Sequence, residues 1–184
     1  MKLQIKKRTG GKKSEINAIR REGNIPAVVY IRGKDGETIS VDGNDFSSLV
    51  RQIVPGRLAT TVFELTEGNE TFKAILKDIT YDPVSYRVIH LDFEKLTKDE
   101  VTVKVPIEVT GAVDSVGIKL GGILRQVLRY VRVRCLPKDI PSHFSVDIRS
   151  MGINETKRIS DIEIPQSIRP LAKHDEVALV IGKK

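Results

Sequence analysis

Strict alternation of apolar and polar side chains is the feature that most restricts this chain. Val101, Val103, Val105, Ile107 and Val109 alternate with Thr102, Lys104, Pro106 and Glu108. A period of two places all five apolar residues on one face of a strand, whereas a helix would scatter them around its axis. Pro106 lacks an N–H and points to an edge position. The same alternation recurs in Phe144, Val146 and Ile148, in Val131, Val133 and Cys135, and in Val177, Leu179 and Ile181. Lys34-Asp35-Gly36, Asp42-Gly43-Asn44 and Glu67-Gly68-Asn69 supply turns between short segments. Many short strands joined by such turns make a mainly β barrel or sandwich.

Helices are few. Phe46, Leu49, Val50 and Ile53 recur at i, i+3, i+4 and i+7, so the spacing predicts a helix over Asp45–Val54, capped by Asn44 and ended by Pro55-Gly56. A short helix is expected over Ser14–Glu22, capped by Ser14 and stopped by Gly23. A weaker helical pattern covers Gly122–Arg129, with Leu124, Val127 and Leu128 on one side. Val113–Gly122 holds three glycines and reads as a loop or a turn into that helix.

The polar run Lys95–Glu100 separates two strand-rich halves, and a chain of 184 residues accommodates two small cores. No apolar stretch approaches the roughly 18 residues a membrane span requires. The basic N-terminus has no apolar segment behind it, so no secretory signal is expected. Cys135 is the one cysteine, which fits a reducing compartment, and its place on the apolar side of a strand marks a buried structural thiol.

Charge is concentrated. Residues 1–21 hold eight Lys and Arg against Glu15 alone, which accounts for the whole net charge of +7. Such a segment attracts polyanions by counterion release and electrostatic steering. A solubilising tail, or attraction to an acidic membrane or protein surface, are the other readings, and the scarcity of large apolar residues weakens the membrane option.

Within the expected helix, Lys13, Asn17, Arg20 and Arg21 share a stripe while Ile16 and Ile19 point away. That gives an apolar side for docking and a row of donors, either for phosphate and base edges or simply for solvent. On the strand Tyr86–Phe93, Ile89, Leu91 and Phe93 form one face, and Val88, His90 and Asp92 the other. Three readings fit His90 and Asp92: a local hydrogen-bonded surface pair, a metal or hydrolytic site, or recognition of a base edge. Only His143 and His174 are available as further imidazoles, too few in pattern for a metal site. Tyr30 shares a strand face with Arg32, as an ordinary barrel tyrosine or as a group that stacks on nucleotides. No catalytic set is present, and Gly117–Gly122 lacks the spacing of a phosphate-binding loop. No catalytic residue, metal or cofactor is therefore expected.

The order of these motifs resembles one family. Arg20-Arg21-Glu22-Gly23-Asn24-Ile25-Pro26-Ala27-Val28-Val29-Tyr30 looks like its Arg-rich turn and the strand after it, and Asp82-Pro83 with His90-Leu91-Asp92-Phe93 like its second signature. Gly121-Gly122, Val133-Arg134-Cys135-Leu136-Pro137-Lys138-Asp139-Ile140-Pro141 and Val146-Asp147 match a C-terminal extension. The family is bacterial large-subunit ribosomal protein twenty-five, in its longer two-domain form, also called the CTC general-stress type.

The resemblance implies an N-terminal six-stranded β-barrel with a few short helices over residues 1–95 that binds 5S rRNA at an internal loop of non-Watson–Crick pairs. A second β-rich domain of CTC type follows over 96–184. Carried over by position, the RNA-facing residues are Arg8, Lys13, Arg20, Tyr30, His90 and Asp92. The chain departs from the pattern at Asn17-Ala18, Ile31 and Thr80, and Arg21 with Lys6, Lys7 and Lys12 adds charge nearby. The expected partners are 5S rRNA and neighbouring components of the large subunit, in the cytoplasm. No membrane or small-molecule substrate is expected, and the chain is expected to be a monomer within the ribosome. The alternatives are a general stress protein acting through protein contacts of the C-terminal domain, and a small hydrolase or nuclease built on His90 and Asp92.

Overall fold

The computed structural model describes residues 1–8, 12–68 and 70–183. The chain divides into two compact units, Met1–Asp99 and Glu100–Lys184.

In the first unit, strands β1 (Lys2–Lys7), β2 (Asn24–Tyr30), β3 (Glu37–Asp42), β4 (Val62–Glu67), β5 (Glu70–Tyr81) and β6 (Val88–Lys95) close a barrel in the order β1-β3-β2-β6-β5-β4. β1 pairs with β4, and β2 with β6, in parallel; the other neighbours are antiparallel. Inward residues of every strand, including Leu3, Ile25, Ile39, Leu65, Leu76 and Phe93, fill the interior. Phe63 and Phe93 meet edge to face at 5.9 Å.

Helix α1 (Lys13–Arg21) lies between β1 and β2, and α2 (Gly43–Gln52) follows β3. The predicted spacing in α2 holds: Phe46 is fully buried, with Leu49, Val50 and Ile53 packed beside it on the barrel core. Its cap differs from expectation. Asp42, not Asn44, accepts from the backbone N–H groups of Asn44 and Asp45, at 2.8 and 3.1 Å, because β3 runs directly into the helix and ends on Asp42. α1 likewise starts one residue early. Lys12 holds the cap position without a side-chain bond, and Ser14 lies inside the helix. Gly23 ends α1 as expected, with φ at +84° and its N–H on the Arg20 carbonyl.

The β5–β6 hairpin turns on Asp82. Its carboxylate accepts from the N–H groups of Ser85 and Val84, which hold it below the usual carboxylate range. The two strands slip register twice, at Leu76/Asp78 and at Thr80/Tyr81. The second slip corrects the face assignment made from the sequence: Val88 rather than Ile89 packs on the barrel core.

The second unit contains β7 (Val101–Thr110), α3 (Val116–Lys119), β8 (Ile123–Gln126), β9 (Tyr130–Cys135), β10 (Phe144–Asp147), β11 (Thr156–Arg158), β12 (Arg169–Pro170) and β13 (Val177–Gly182). They form a four-stranded sheet, β10-β7-β9-β12, and a three-stranded sheet, β11-β13-β8. The alternating segments are strands as predicted, and Cys135 is buried. β7 is not an edge strand along its whole length, since β10 covers Ile107–Thr110. Pro106 sits just before that pairing begins. The Ile107 N–H points to Arg129 of the β9 side, so the proline nitrogen faces the uncovered side.

The helix expected over Gly122–Arg129 is instead strand β8, paired with β13. Leu124, Gln126 and Leu128 are half-buried and alternate with exposed neighbours. Gln126 takes an inward position because its amide donates to the Ile107 carbonyl at 3.0 Å.

Candidate nucleic-acid interface

α1 packs along β2 through its half-buried side, Ile16, Ala18 and Ile19. Lys13, Asn17, Arg20 and Arg21 are exposed, as the stripe predicts. No residue of α1 is fully buried, so polar tethers matter to its position. The chief one is Arg20, whose Nη2 and Nε donate to the Ile89 carbonyl at 3.1 and 3.3 Å. Ile89 is the residue skipped by the second register slip, between the Thr80–His90 and Tyr81–Val88 pairs. A guanidinium carries five N–H donors, so this fork leaves three directed elsewhere. Arg21 Nε donates within the helix to Asn17 O at 3.3 Å.

Arg8 directly follows β1 and is held against β3. Its Nε donates to Ile39 O at 3.0 Å, and Thr38 Oγ1 donates to its carbonyl at 2.7 Å. Lys12 is exposed at the start of α1. The hydrogen bonds of Arg8 run to β3, not to the strand that carries His90 and Asp92.

His90 and Asp92 stand side by side on β6, with Nδ1 2.8 Å from Oδ1. This contact engages Nδ1 and orients the imidazole, so Nε2 is the ring nitrogen left for a ligand. Across the neighbouring strands, Asp92 is opposite Val28 of β2 and Asp78 of β5, and His90 is opposite Thr80. The outer surface of β2, β6 and β5 therefore brings Tyr30, His90, Asp92, Asp78 and Thr80 onto one face. Tyr30, the last residue of β2, is opposite Glu94. Burial, and then the charges of Glu94, Asp92 and Asp78, push its phenol above the ordinary value. The hydroxyl therefore stays protonated and can donate. Arg32 does not share the strand face with Tyr30; it lies beyond β2 in an exposed turn.

Two features of this face escape the sequence. Asp78 joins it only because of the register slip after Leu76. Glu94 is buried and meets the Lys77 ammonium, so its charge is compensated beneath the surface. The alternation of β6 does put Glu94 on the His90 side, but nothing local signals its burial. Among the described residues, no group of three His, Cys, Asp or Glu side chains is arranged to hold a metal ion.

The arrangement is a rim of cationic donors on α1 beside a face of acceptors with one phenolic donor. Phosphates suit the rim. Carboxylates accept from exocyclic amino groups and 2′-hydroxyls, which a wide, shallow A-form minor groove exposes.

Comparison with known proteins agrees with the motif resemblance. Residues 3–93 match the Ribosomal L25p family, and residues 100–184 match the C-terminal domain of ribosomal protein TL5. The chain is 46% identical over 185 residues to large ribosomal subunit protein bL25 of Chlamydia abortus, covering all of both chains. With the same coverage it is 44% identical to the protein of that name in Chlamydia muridarum, and 45% to that of Chlamydia trachomatis serovar L2. Identity at this level along the whole of both chains, with each half matched to its own domain, shows that the chain belongs to the large ribosomal subunit protein bL25 family.

Proposed function

We propose that this chain is a structural, non-catalytic constituent of the large ribosomal subunit and that its barrel, within residues 1–95, binds 5S rRNA. Ribosomal membership follows from the relatives compared above, each named as a large ribosomal subunit protein. The observation that carries the RNA reading is the fork from Arg20 to Ile89 O, one residue before His90. It fixes a cationic helix beside a face of base-edge acceptors, on the wall of a closed barrel.

In this reading Arg8, Lys12, Lys13, Arg20 and Arg21 meet phosphates and supply most of the affinity. Asn17 reaches a base edge or phosphate from the same helix. Tyr30, His90 and Asp92 face a minor groove. An internal loop of non-Watson–Crick pairs supplies a groove shape that a regular duplex lacks, which is how a rigid face selects one RNA.

Hydroxyl-radical footprinting of 5S rRNA tests this. Saturating protein should protect riboses on both strands of one irregular internal loop, with the protection in the minor groove. Protection spread evenly over regular helices would overturn the reading.

A further inference from the structure

The second unit carries a charged surface that the barrel's activity does not use. Val101, Val103 and Val105 of β7, with Val131, Val133 and Cys135 of β9, point into the core. The residues between them form the opposite face of the sheet. There, Lys104 is opposite Arg132, Pro106 opposite Tyr130, and Arg169 of β12 opposite Arg134. Directly opposed residues share a face, so Lys104, Tyr130, Arg132, Arg134 and Arg169 form one continuous patch.

Like charges opposed across strands are destabilising, and little on this patch offsets them. Glu100 lies 3.9 Å from Arg134 Nε. Arg132 and Arg169 are exposed and have no ion-pair partner among the described residues. Glu108 lies further along β7 on the same side, where His143 stands 3.6 Å from it. The Lys104 ammonium sits 5.5 Å from the centre of the Tyr130 ring, which remains 46% exposed.

We propose that this face of β7, β9 and β12 is a second RNA-binding surface, with the four cations on the phosphodiester backbone and Tyr130 stacked on a base. Cations with little acidic compensation beside an accessible ring are what sequence-tolerant RNA contact requires. A protein partner fits less well, because the centres of protein interfaces are depleted of charge while nucleic-acid interfaces are strongly positive. The inference rests on the large-subunit reading only for the source of the RNA.

The full chain is rebound to large ribosomal subunits stripped of it, in parallel with binding to isolated 5S rRNA. Arg132→Glu/Arg169→Glu changes two exposed side chains far from the barrel in sequence, and Arg132→Gln/Arg169→Gln is the milder pair. Both should bind 5S rRNA like the parent. On stripped subunits the Glu pair should associate about tenfold more weakly, with a salt slope lower by about 1.4–1.8. The Gln pair should fall between it and the parent. Ultraviolet cross-linking of the parent should leave a nucleotide adduct on the peptide containing Tyr130. Subunit association equal to the parent in both pairs, with no adduct at Tyr130, would overturn the proposal, as would cross-links from this peptide to protein alone. An adduct at Tyr130 without 5S binding would sink the barrel reading and leave this one standing.

Discussion

Asp78 and Asp92 stand directly opposite each other on β5 and β6, two carboxylates on the outer face of the barrel. Like charges directly opposed across strands destabilise a sheet, so the pair lowers the stability of the free protein. Asp78→Asn should therefore raise the urea midpoint slightly and still weaken binding to 5S rRNA. Asp92→Ala should cost about 1–3 kcal/mol of cognate binding while barely changing the salt slope, because it removes a base-edge acceptor and not a phosphate contact. Equal losses on cognate and random RNA for Asp92→Ala would remove base readout from the account.

Arg20 has two tasks, charge and tether. Arg20→Ala should weaken binding to every RNA and reduce the salt slope by about 0.7–0.9. Arg20→Lys keeps the charge but cannot form the fork on Ile89 O, so the slope should stay while affinity falls. Hydrogen exchange should also quicken in α1, which has no fully buried residue to hold it. If Arg20→Lys matches the parent in both affinity and exchange, the tether has no functional weight.

Tyr30 gives a pH signature. The folded state holds its phenolic proton more tightly than the unfolded chain does, through burial and then through Glu94, Asp92 and Asp78. That contribution to stability is complete below the ordinary phenol value of 10.0 and is lost as pH rises past it toward the folded-state value. Absorbance titration of the parent against Tyr30→Phe should show Tyr30 ionising above the ordinary phenol value, and Asp92→Asn should bring it down. Titration of Tyr30 at the ordinary phenol value would contradict the clustering of these groups.

Gly43 makes a close backbone approach that joins the two helices. Its N–H donates to Gly23 O at 3.1 Å, and a Cβ there would overlap that same oxygen. Gly43→Ala should destabilise the barrel by about 1–3 kcal/mol in urea unfolding. An unchanged midpoint would mean that the junction yields without cost.

What the sequence disclosed follows the range of the forces involved. Period-two alternation exposed β7, β9, β10 and β13, and period 3.6 exposed the buried side of α2, because each pattern lies within one segment. The start of α2 was misplaced because Asp42 and Asn44 are both good caps, and only the path of β3 decides between them. Gln126 hid β8, since an inward polar residue breaks the apolar pattern unless its distant partner, Ile107 O, is known. The site divides the same way. His90 and Asp92 are neighbours on one strand and were legible together. Asp78 reaches them only through a register slip between strands, and the Arg20 fork spans 69 residues.

The central claim is that a cationic helix and an acceptor face act together to select one RNA. Binding of the full chain to 5S rRNA, against excess tRNA and across a salt series, tests it most directly. The account predicts tight binding that survives competitor at moderate salt, with a slope reporting several phosphate contacts. Binding that disappears with competitor at every salt concentration would contradict it and reduce the N-terminal segment to a general attractor of polyanions.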